Sequence, residues 1–443
     1  MISKYKKELA EKILRHRKQI VEWQDMQAKL APPPFYCSID LRDAGYKIAP
    51  VDSNLYPAGF NNICPEDMRS APAILKRQIE KEFAKVGRTC PKQVLIIPEA
   101  HTTNLFYIEN LYYLDSLVRE AGFETRIGWY SQGGNDSPNT SNDPIPLKSQ
   151  TGKDLIAYPI QINGGVISAA GFVPDAVLLN NDFSDGYPKE LDSVTQPIVP
   201  SHSLGWHSRK KSDHFKHYNA LAAEFAAIID LDPWLLQIDT EAVGSVNFNE
   251  DQGIEEVATS VESVLKRTQD AYARYGVTRK PFVFVKNNSG TYGMGIMVVR
   301  SADELRSMNR RTKNKMSVGK NKTQIESVAV QEGIPTGTLV DRLAAEPVIY
   351  LVGGELIGGF LRTNQEKGDE ENLNSSGMAF RKLCMTDLKM LDEDPDEASK
   401  TAHDSVLELV YGSIAQISAL AAGRELAARP QTQLVTKAAL TLV

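Results

Sequence analysis

The chain has 443 residues, 42% of them hydrophobic and 24% charged, with 30 Gly and 23 Pro. This make-up buries enough apolar surface to offset chain entropy, which excludes disorder and predicts two or three domains. A net charge of −6, from 50 basic and 56 acidic residues, excludes a protein built as a whole to hold nucleic acid.

No apolar run approaches the roughly 20 residues a membrane-spanning helix needs, so no membrane partner is expected. The segment from Met1 to Asp25 is charged throughout and carries Glu8 and Glu11. It has neither the apolar core of a secretion signal nor the acid-poor character of a transit peptide, so a cytoplasmic location is expected. Cys37, Cys64, Cys90 and Cys384 show no C-x-x-C spacing, and reduced thiols are expected.

Residues 3–30 read as one helix, with Leu9, Ile13, Ile20 and Trp23 on one face, stopped by Pro32-Pro33-Pro34. Two extended runs, 35–41 and 46–51, joined by Arg42-Asp43-Ala44-Gly45, predict a β-hairpin. Between about 93 and 200 the pattern is strand (94–97), helix (107–121), strand (125–129) and strand (176–179). That order predicts a βαβ unit in a parallel sheet. Residues 131–152, rich in Gly, Ser, Asn and Pro, read as a long loop.

Further on, the pattern predicts helices over 212–229 and 254–275 and strands at 235–238, 282–286 and 326–334. A hairpin is predicted over 347–361, turning at Gly353-Gly354-Glu355, and a last helix over 397–427. The expected organisation is an N-terminal helix and hairpin (1–62), a Rossmann-like α/β domain (63–200), a second domain (201–427) and a tail (428–443).

The strongest chemical signal is the run Phe282-Val283-Phe284-Val285-Lys286 followed by a loop holding Gly290, Gly293 and Gly295 and then a second apolar strand. Glycines let backbone N–H groups turn toward a phosphate, and a lysine at the strand end supplies a fixed positive charge. It is not a Walker loop, because G-K-[ST] is missing and a strand follows. A Gly-rich hairpin with an edge lysine has the same pattern.

Gln331-Glu332, ending an apolar strand, could read an adenine and a ribose. Residues 306–322 carry Arg306, Arg310, Arg311, Lys313, Lys315, Lys320 and Lys322 without an acid, which suits a cationic lid over a polyphosphate and equally a solvated loop. Arg362, at a strand end before a polar loop, could neutralise a developing carboxyl-phosphate or pair with the acids at 369–371. Asp52 and Asn54 lie two apart on an extended segment, with Asp40 on the partner strand. They offer hard oxygen ligands for magnesium, or an Asx turn before Pro57. Glu99, His101, Thr102 and Asn104 follow a predicted parallel strand, where such sheets hold ligands. His202, His207 and His214 are read as positional rather than as a zinc site.

This order of elements resembles the ATP-grasp ligases, best the glutathione synthetases, which bind ATP between two antiparallel sheets and join a carboxylate to an amine. The resemblance implies Lys211, Lys286, Gly290, Gly293, Gly295, Gln331 and Glu332 at the ATP. It also implies Arg42, Arg362, Asn374, Ser375 and Ser376 at the substrates. Asn364 replaces a lysine of the eukaryotic type, and Gly290 stands where that type has a glutamate, leaving one metal ligand unplaced. With Asp40, Asp52 and Asn54 as metal ligands at the start of the chain, the order is circularly permuted.

The whole chain, from about 1 to 425, resembles the proteobacterial glutamate–cysteine ligase family. The signatures are Ser-Ile-Asp-Leu-Arg with Pro-Val-Asp-Ser-Asn-Leu-Tyr-Pro-Ala-Gly-Phe-Asn-Asn at 38–62, Ile-Pro-Glu-Ala-His-Thr-Thr-Asn at 97–104, and His202 through Lys211. The resemblance implies an α/β (α+β) ATP-grasp fold of glutathione-synthetase-like topology. It implies the joining of glutamate, through its γ-carboxylate, to cysteine, with ATP and Mg2+ and an acyl phosphate between. Lys286 and Arg362 are the implied catalytic residues. The alternatives are another ATP-grasp ligase, such as a glutathione synthetase, and a nucleotide-binding regulatory protein without catalysis. A homo-oligomer is left open.

Overall fold

The computed structural model describes residues 3–85, 87–99, 104–130, 143–184, 186–290, 293–319, 324–385 and 405–429. Its described strands form three sheets.

The central sheet runs Met378–Leu383, Glu355–Asn364, Leu343–Val352, Tyr36–Asp43, Ile48–Asn54, with Leu339–Val340 paired to Leu343–Val352. Every pairing is antiparallel. The first hairpin of the chain thus joins strands some three hundred residues later, with Tyr36 opposite Val352 and Asp40 opposite Val348. This is the permuted order expected from the sequence. The later hairpin turns at Gly353 and Gly354, both at positive φ (58° and 87°), the requirement of a tight two-residue turn that keeps the strand twist.

The sheet has two unlike faces because its side chains alternate. Its back carries Cys37, Ile39, Leu41, Ala345, Ile349 and Leu361, in one apolar cluster with the helices Lys211–Ile228 and Ser413–Ala427. Leu9, Ile13, Ile20 and Trp23 of the N-terminal segment join this cluster. That segment is not one helix but two, Lys4–Arg15 and Arg17–Leu30, interrupted at His16.

The small sheet runs Thr240–Gly244, Ser327–Glu332, Val283–Asn287, Ile296–Val299, all antiparallel. The helix Ile254–Tyr275 covers one face, where Val257, Val261 and Val264 meet Val283, Val285, Val328 and Val330. By alternation Phe284, Lys286 and Gln331 look the other way, toward the central sheet. Glu255 and Glu256 in the first turn complement the positive end of the helix dipole.

The third sheet is parallel through Asp154–Asn163, Glu124–Trp129, Gln93–Pro98, Ala176–Asn180 and Ile198–Val199. The helix Leu105–Glu120 provides the crossover from Gln93–Pro98 to Glu124–Trp129, the expected βαβ unit.

The structure corrects several local expectations. The strand expected at 235–238 is absent: Asp232 accepts a bond from the Trp234 N–H and Pro233 opens a 3-10 turn, so the strand starts at Thr240. Within the expected loop 131–152, Ile145–Lys148 is a strand, and residues 131–142 lie outside the described residues, as do 397–404 of the expected last helix. Met378–Leu383 and Asp154–Asn163 were not legible, because exposed and charged positions interrupt their apolar pattern. Cys64 and Cys384 are joined in a disulfide across 320 residues, contrary to the expectation of reduced thiols, and Cys37 and Cys90 are free. Cys64 lies between the 3-10 turns Phe60–Asn62 and Asp67–Ser70, and Cys384 directly follows the strand Met378–Leu383, a proximity that residue spacing does not reveal. No described helix is long and apolar enough to cross a membrane.

Candidate active site

Directly opposed residues of an antiparallel pair share a face. The register sets Asp40 against Asp52 and Val348, Ser38 against Asn54, and Glu346 against Arg362. The front of the central sheet therefore gathers three carboxylates and an arginine, facing Phe284 and Lys286 of the small sheet. The gap between the sheets is about 40 Å3, lined by these groups together with Arg42, Gly293 and Asn374.

Arg362 is the hub. Its Nη1 donates to Asp40 Oδ2 at 2.6 Å and to Glu346 Oε2 at 3.4 Å. Its Nε is buried without a hydrogen-bond partner, which leaves that N–H for an incoming oxygen. Burial disfavours the cation, but Asp40 and Glu346 outweigh it and raise the Arg362 pKa. Burial raises the Asp40 pKa despite Arg362, and the neighbouring Asp52 and Glu346 charges add to the rise. Such crowding of carboxylates suits a site that receives positive charge.

Lys211 and Lys286 meet the opposite end of this face. Lys211 Nζ pairs with Asp52 Oδ1 at 2.5 Å. Lys286 Nζ donates to Gln331 Oε1 at 2.6 Å and to the Val51 carbonyl at 3.0 Å. Burial pushes the Lys286 ammonium down to about 8; Asp52 opposes the shift and Lys211 reinforces it. Asp52 is buried too, yet Lys211 and Lys286 hold its carboxyl below the usual range. The start of the helix Lys211–Ile228 is pinned to the strand-end loop: the Lys211 N–H donates to the Asn288 carbonyl at 2.7 Å and the Ser212 N–H to Asn288 Oδ1 at 3.0 Å.

In the Gly-rich loop, Gly293 (φ 67°) passes so close to the loop at 372–376 that a Cβ would lie 2.1 Å from the Asn374 carbonyl oxygen. Only glycine fits there. Thr291 and Tyr292 lie outside the described residues. Gly293 and Gly295 line a broad cavity of about 960 Å3 with Lys315, Lys367, Asn374, Ser375 and Ser376. Gly290 lines another, of about 810 Å3, on the Lys210 side. Asn364 Nδ2 donates to the Leu373, Ser375 and Ser376 carbonyls, so the residue that departs from the lysine pattern holds the small-residue loop in place.

Several other expected site residues are committed elsewhere in the protein. Glu332 accepts from Lys47 Nζ with both oxygens, at 2.7 and 2.8 Å. Gln331 holds Lys286. Arg42 donates to Glu346 at 2.7 Å and to the Ile334, Asp369 and Glu371 carbonyls, with its guanidinium 5.0 Å from the Phe284 ring. It orients Glu346 and ties the two sheets together. Asn54 forms an Asx turn with Tyr56, at 3.0 and 3.2 Å, while still lining a cavity. Asn104 caps the helix Leu105–Glu120 and is exposed. His101 and Thr102 lie outside the described residues.

The histidines do not converge: His202 pairs with Asp192 and His214 with Ser418 and Glu425. The cationic segment is partly neutralised, with Arg306 on Glu255 and Glu262 and Lys313 on Asp251. It forms the helix Arg310–Ser317, and Lys315 faces the broad cavity. Lys320 and Lys322 lie outside the described residues.

A second cavity, of about 150 Å3, adjoins the gap. Asp40, Asp52, Arg362 and Asn374 line both, and Glu99, Asp182 and Trp206 close its far side. Glu346, Asp182 and Trp206 were missed in the sequence. Glu346 had a signal, a single charge inside the apolar run 343–352. Asp182 had one as well, two residues past a strand of a parallel sheet, where ligands gather.

Two antiparallel sheets, a gap between them lined with buried cations and carboxylates, and a glycine hairpin at its rim define a ligase of the ATP-grasp class. More particularly, the chain matches the glutamate–cysteine ligase family over residues 10–426 and belongs to it. It is therefore an ATP-dependent ligase. It is similar to a crystal structure from Methylobacillus flagellatus KT described as "Putative gamma-glutamylcysteine synthetase", with 35% identity, a TM-score of 0.83, and 96% of this chain and 97% of that one covered. Two remoter structures are a D-alanyl-alanine synthetase A from Vibrio cholerae and a glutathione synthetase-like effector from Globodera pallida. The first is 12% identical with a TM-score of 0.31, covering 73% of this chain and 80% of that one. The second is 10% identical with a TM-score of 0.33, covering 81% and 82%. No curated protein matches the chain.

Proposed function

We propose that the gap between the sheets joins the γ-carboxylate of glutamate to the amine of cysteine, giving γ-glutamylcysteine, ADP and phosphate. A carboxylate is a poor acyl donor because its charge repels nucleophiles. Transfer of the γ-phosphoryl group of ATP to a carboxylate oxygen breaks the bond to ADP and creates an acyl phosphate. The cysteine amine then attacks the acyl carbon, and phosphate and a proton leave.

Lys286 and Lys211 stabilise the phosphate charge in transit, and the amides of the Gly-rich loop align the phosphates. Arg362 carries the reading. It stands where the gap meets the 150 Å3 cavity, with a buried N–H still unpartnered, so it can hold the carboxylate as it becomes an acyl phosphate. Asp40, Asp52 and Asn54, with Glu346 as the ligand the sequence left unplaced, would hold Mg2+. The donors are of the right chemistry, since carboxylates and an amide oxygen are hard ligands, but Asp40, Glu346 and Asp52 are here held by Arg362, Arg42 and Lys211, so an ion would have to take them from these cations. Bound there, Mg2+ would neutralise phosphate charge.

The test is ADP release with single and paired amino acids, alongside mass spectrometry of the product. Glutamate plus cysteine should be the best pair, with a γ-glutamyl peptide formed and activity lost on chelation of Mg2+. ADP release without glutamate, or a better acid donor, would sink the proposal.

A further inference from the structure

The 150 Å3 cavity beyond Arg362 has two unlike walls. One belongs to the central sheet. Register places Val348 against Phe360, Arg362 against Phe380, and Asn364 against Met378, so these side chains share the front face with Arg362. The rings of Tyr350, Phe360 and Phe380 follow one another with centroids 5.7 and 5.1 Å apart. The Tyr350 hydroxyl donates to the Ala58 carbonyl at 2.7 Å, so its polar end is engaged and its ring belongs to the apolar wall. Met378 ends the row. The opposite wall, from the carboxyl ends of the parallel strands, carries Glu99 and Asp182.

We infer that this apolar wall is the cysteine subsite, with Phe380 and Met378 contacting the thiol and setting selectivity for it. The inference rests on the ligase reading above and goes further by assigning the wall. The reactants differ in side-chain charge. Glutamate ends in the carboxylate that must reach Arg362 and the phosphates, away from an apolar wall. Cysteine has the short, uncharged side chain that an aromatic wall accepts. Sulfur is polarisable and is favoured at the edges of aromatic rings and beside a thioether. With the thiol on this wall, the amine is directed toward Arg362, where the acyl carbon forms.

The row crosses the three strands Leu343–Val352, Glu355–Asn364 and Met378–Leu383, and the last, which carries Phe380 and Met378, forms the end of the sheet. Phe380 and Met378 can therefore be shortened without opening the centre of the sheet. The experiment is steady-state kinetics of Phe380→Ala, Phe380→Leu and Met378→Ala with cysteine, L-2-aminobutyrate and alanine as acceptors, with melting curves to confirm folding.

A missing apolar contact in such a pocket changes selectivity by roughly 10–200-fold. Phe380→Ala should raise KM for cysteine at least ~10-fold, leave KM for glutamate and ATP within about twofold, and shrink the preference for cysteine over alanine by a similar factor. Phe380→Leu should recover part of the loss. If KM for glutamate rises instead, if all KM values rise together, or if none moves, the assignment is wrong. If the wild-type enzyme releases no ADP with glutamate and cysteine, the ligase reading fails first, and that outcome is seen before any variant is made.

Discussion

Two buried arginines on opposite sides of the central sheet are held in opposite ways. On the back, Arg209 meets Glu425 through two parallel bonds, both 2.8 Å, while its third nitrogen donates to the Ser53 carbonyl at 3.1 Å. All three nitrogens donate. On the front, Arg362 shares a single nitrogen between Asp40 and Glu346 and keeps Nε without a partner. A bidentate pair that engages every nitrogen is a brace, whereas an arginine divided between two acids through one nitrogen, with a buried Nε left unbonded, is ready for another anion. Burial alone does not separate structure from chemistry; the count of unmet donors does.

This contrast predicts a crossed result. Arg362→Ala should lower kcat by about 10²–10³ or more, the usual cost of removing a preorganised charge at a transition state, while its melting temperature stays near wild type. Arg209→Ala leaves the buried Glu425 with only the longer contacts to His214 (3.5 Å) and Arg429 (3.3 Å), and breaking a buried pair by removing one partner costs up to about 3–5 kcal/mol. It should melt several degrees lower and retain its kcat per folded molecule. If Arg209→Ala loses turnover at full folding, or Arg362→Ala unfolds, the distinction is wrong.

The same brace gives a pH dependence. Glu425 is buried, but Arg209 and then His214 hold its carboxyl well below the usual 4.5. Its folded pKa is depressed, so the stabilisation is fully present above about pH 4.5 and is lost as pH falls through the window below it. Melting temperature followed from pH 6 to about pH 3 should fall more steeply for wild type than for Glu425→Gln. Parallel curves would remove Glu425 from the acid response.

Lys286 belongs with Arg362 on the poised side. Its pKa falls from 10.5 to about 8 through burial, which corresponds to about 3 kcal/mol against the charged form. At neutral pH the lysine is protonated in both the folded and the unfolded chain, so the whole penalty is present, and it is relieved as pH rises from about 8 toward 10.5. Lys286→Met should abolish ligation yet melt no lower than wild type at pH 7. The stability of wild type relative to this variant should improve between pH 8 and 10. A large loss of stability at pH 7 would make Lys286 part of the scaffold.

How much of this was legible in the sequence depends on the range of the signal. The first hairpin, the helix Ile254–Tyr275 and the strand with Lys286 were readable because their apolar period and glycine boundaries are local. Lys286 and Arg362 were singled out as cations at strand ends, each with a structural alternative, and both line the gap. Glu346 was not, since it faces Arg362 across its own hairpin, 16 residues on, but meets Arg42 only across 304 residues. Nor could local sequence show that Glu332 would be consumed by Lys47, or Gln331 by Lys286. Asp182 needed the parallel sheet to bring it beside Glu99.

Asn104 separates the two kinds of residue most finely. Its place after a parallel strand suits a substrate ligand, but in the structure its side chain accepts the Tyr107 N–H at 3.2 Å and caps the helix Leu105–Glu120. Glu99, five residues earlier, lines the cavity. A cap contributes stability by satisfying one of the first N–H groups of its helix, and Asn→Ala typically costs about 1 kcal/mol. Asn104→Ala should therefore melt slightly lower with unchanged KM for glutamate and cysteine. Asn104→Ser, which restores a capping oxygen but not an amide, should recover most of the stability. A substrate role requires the reverse, a raised KM in both variants with little change in melting.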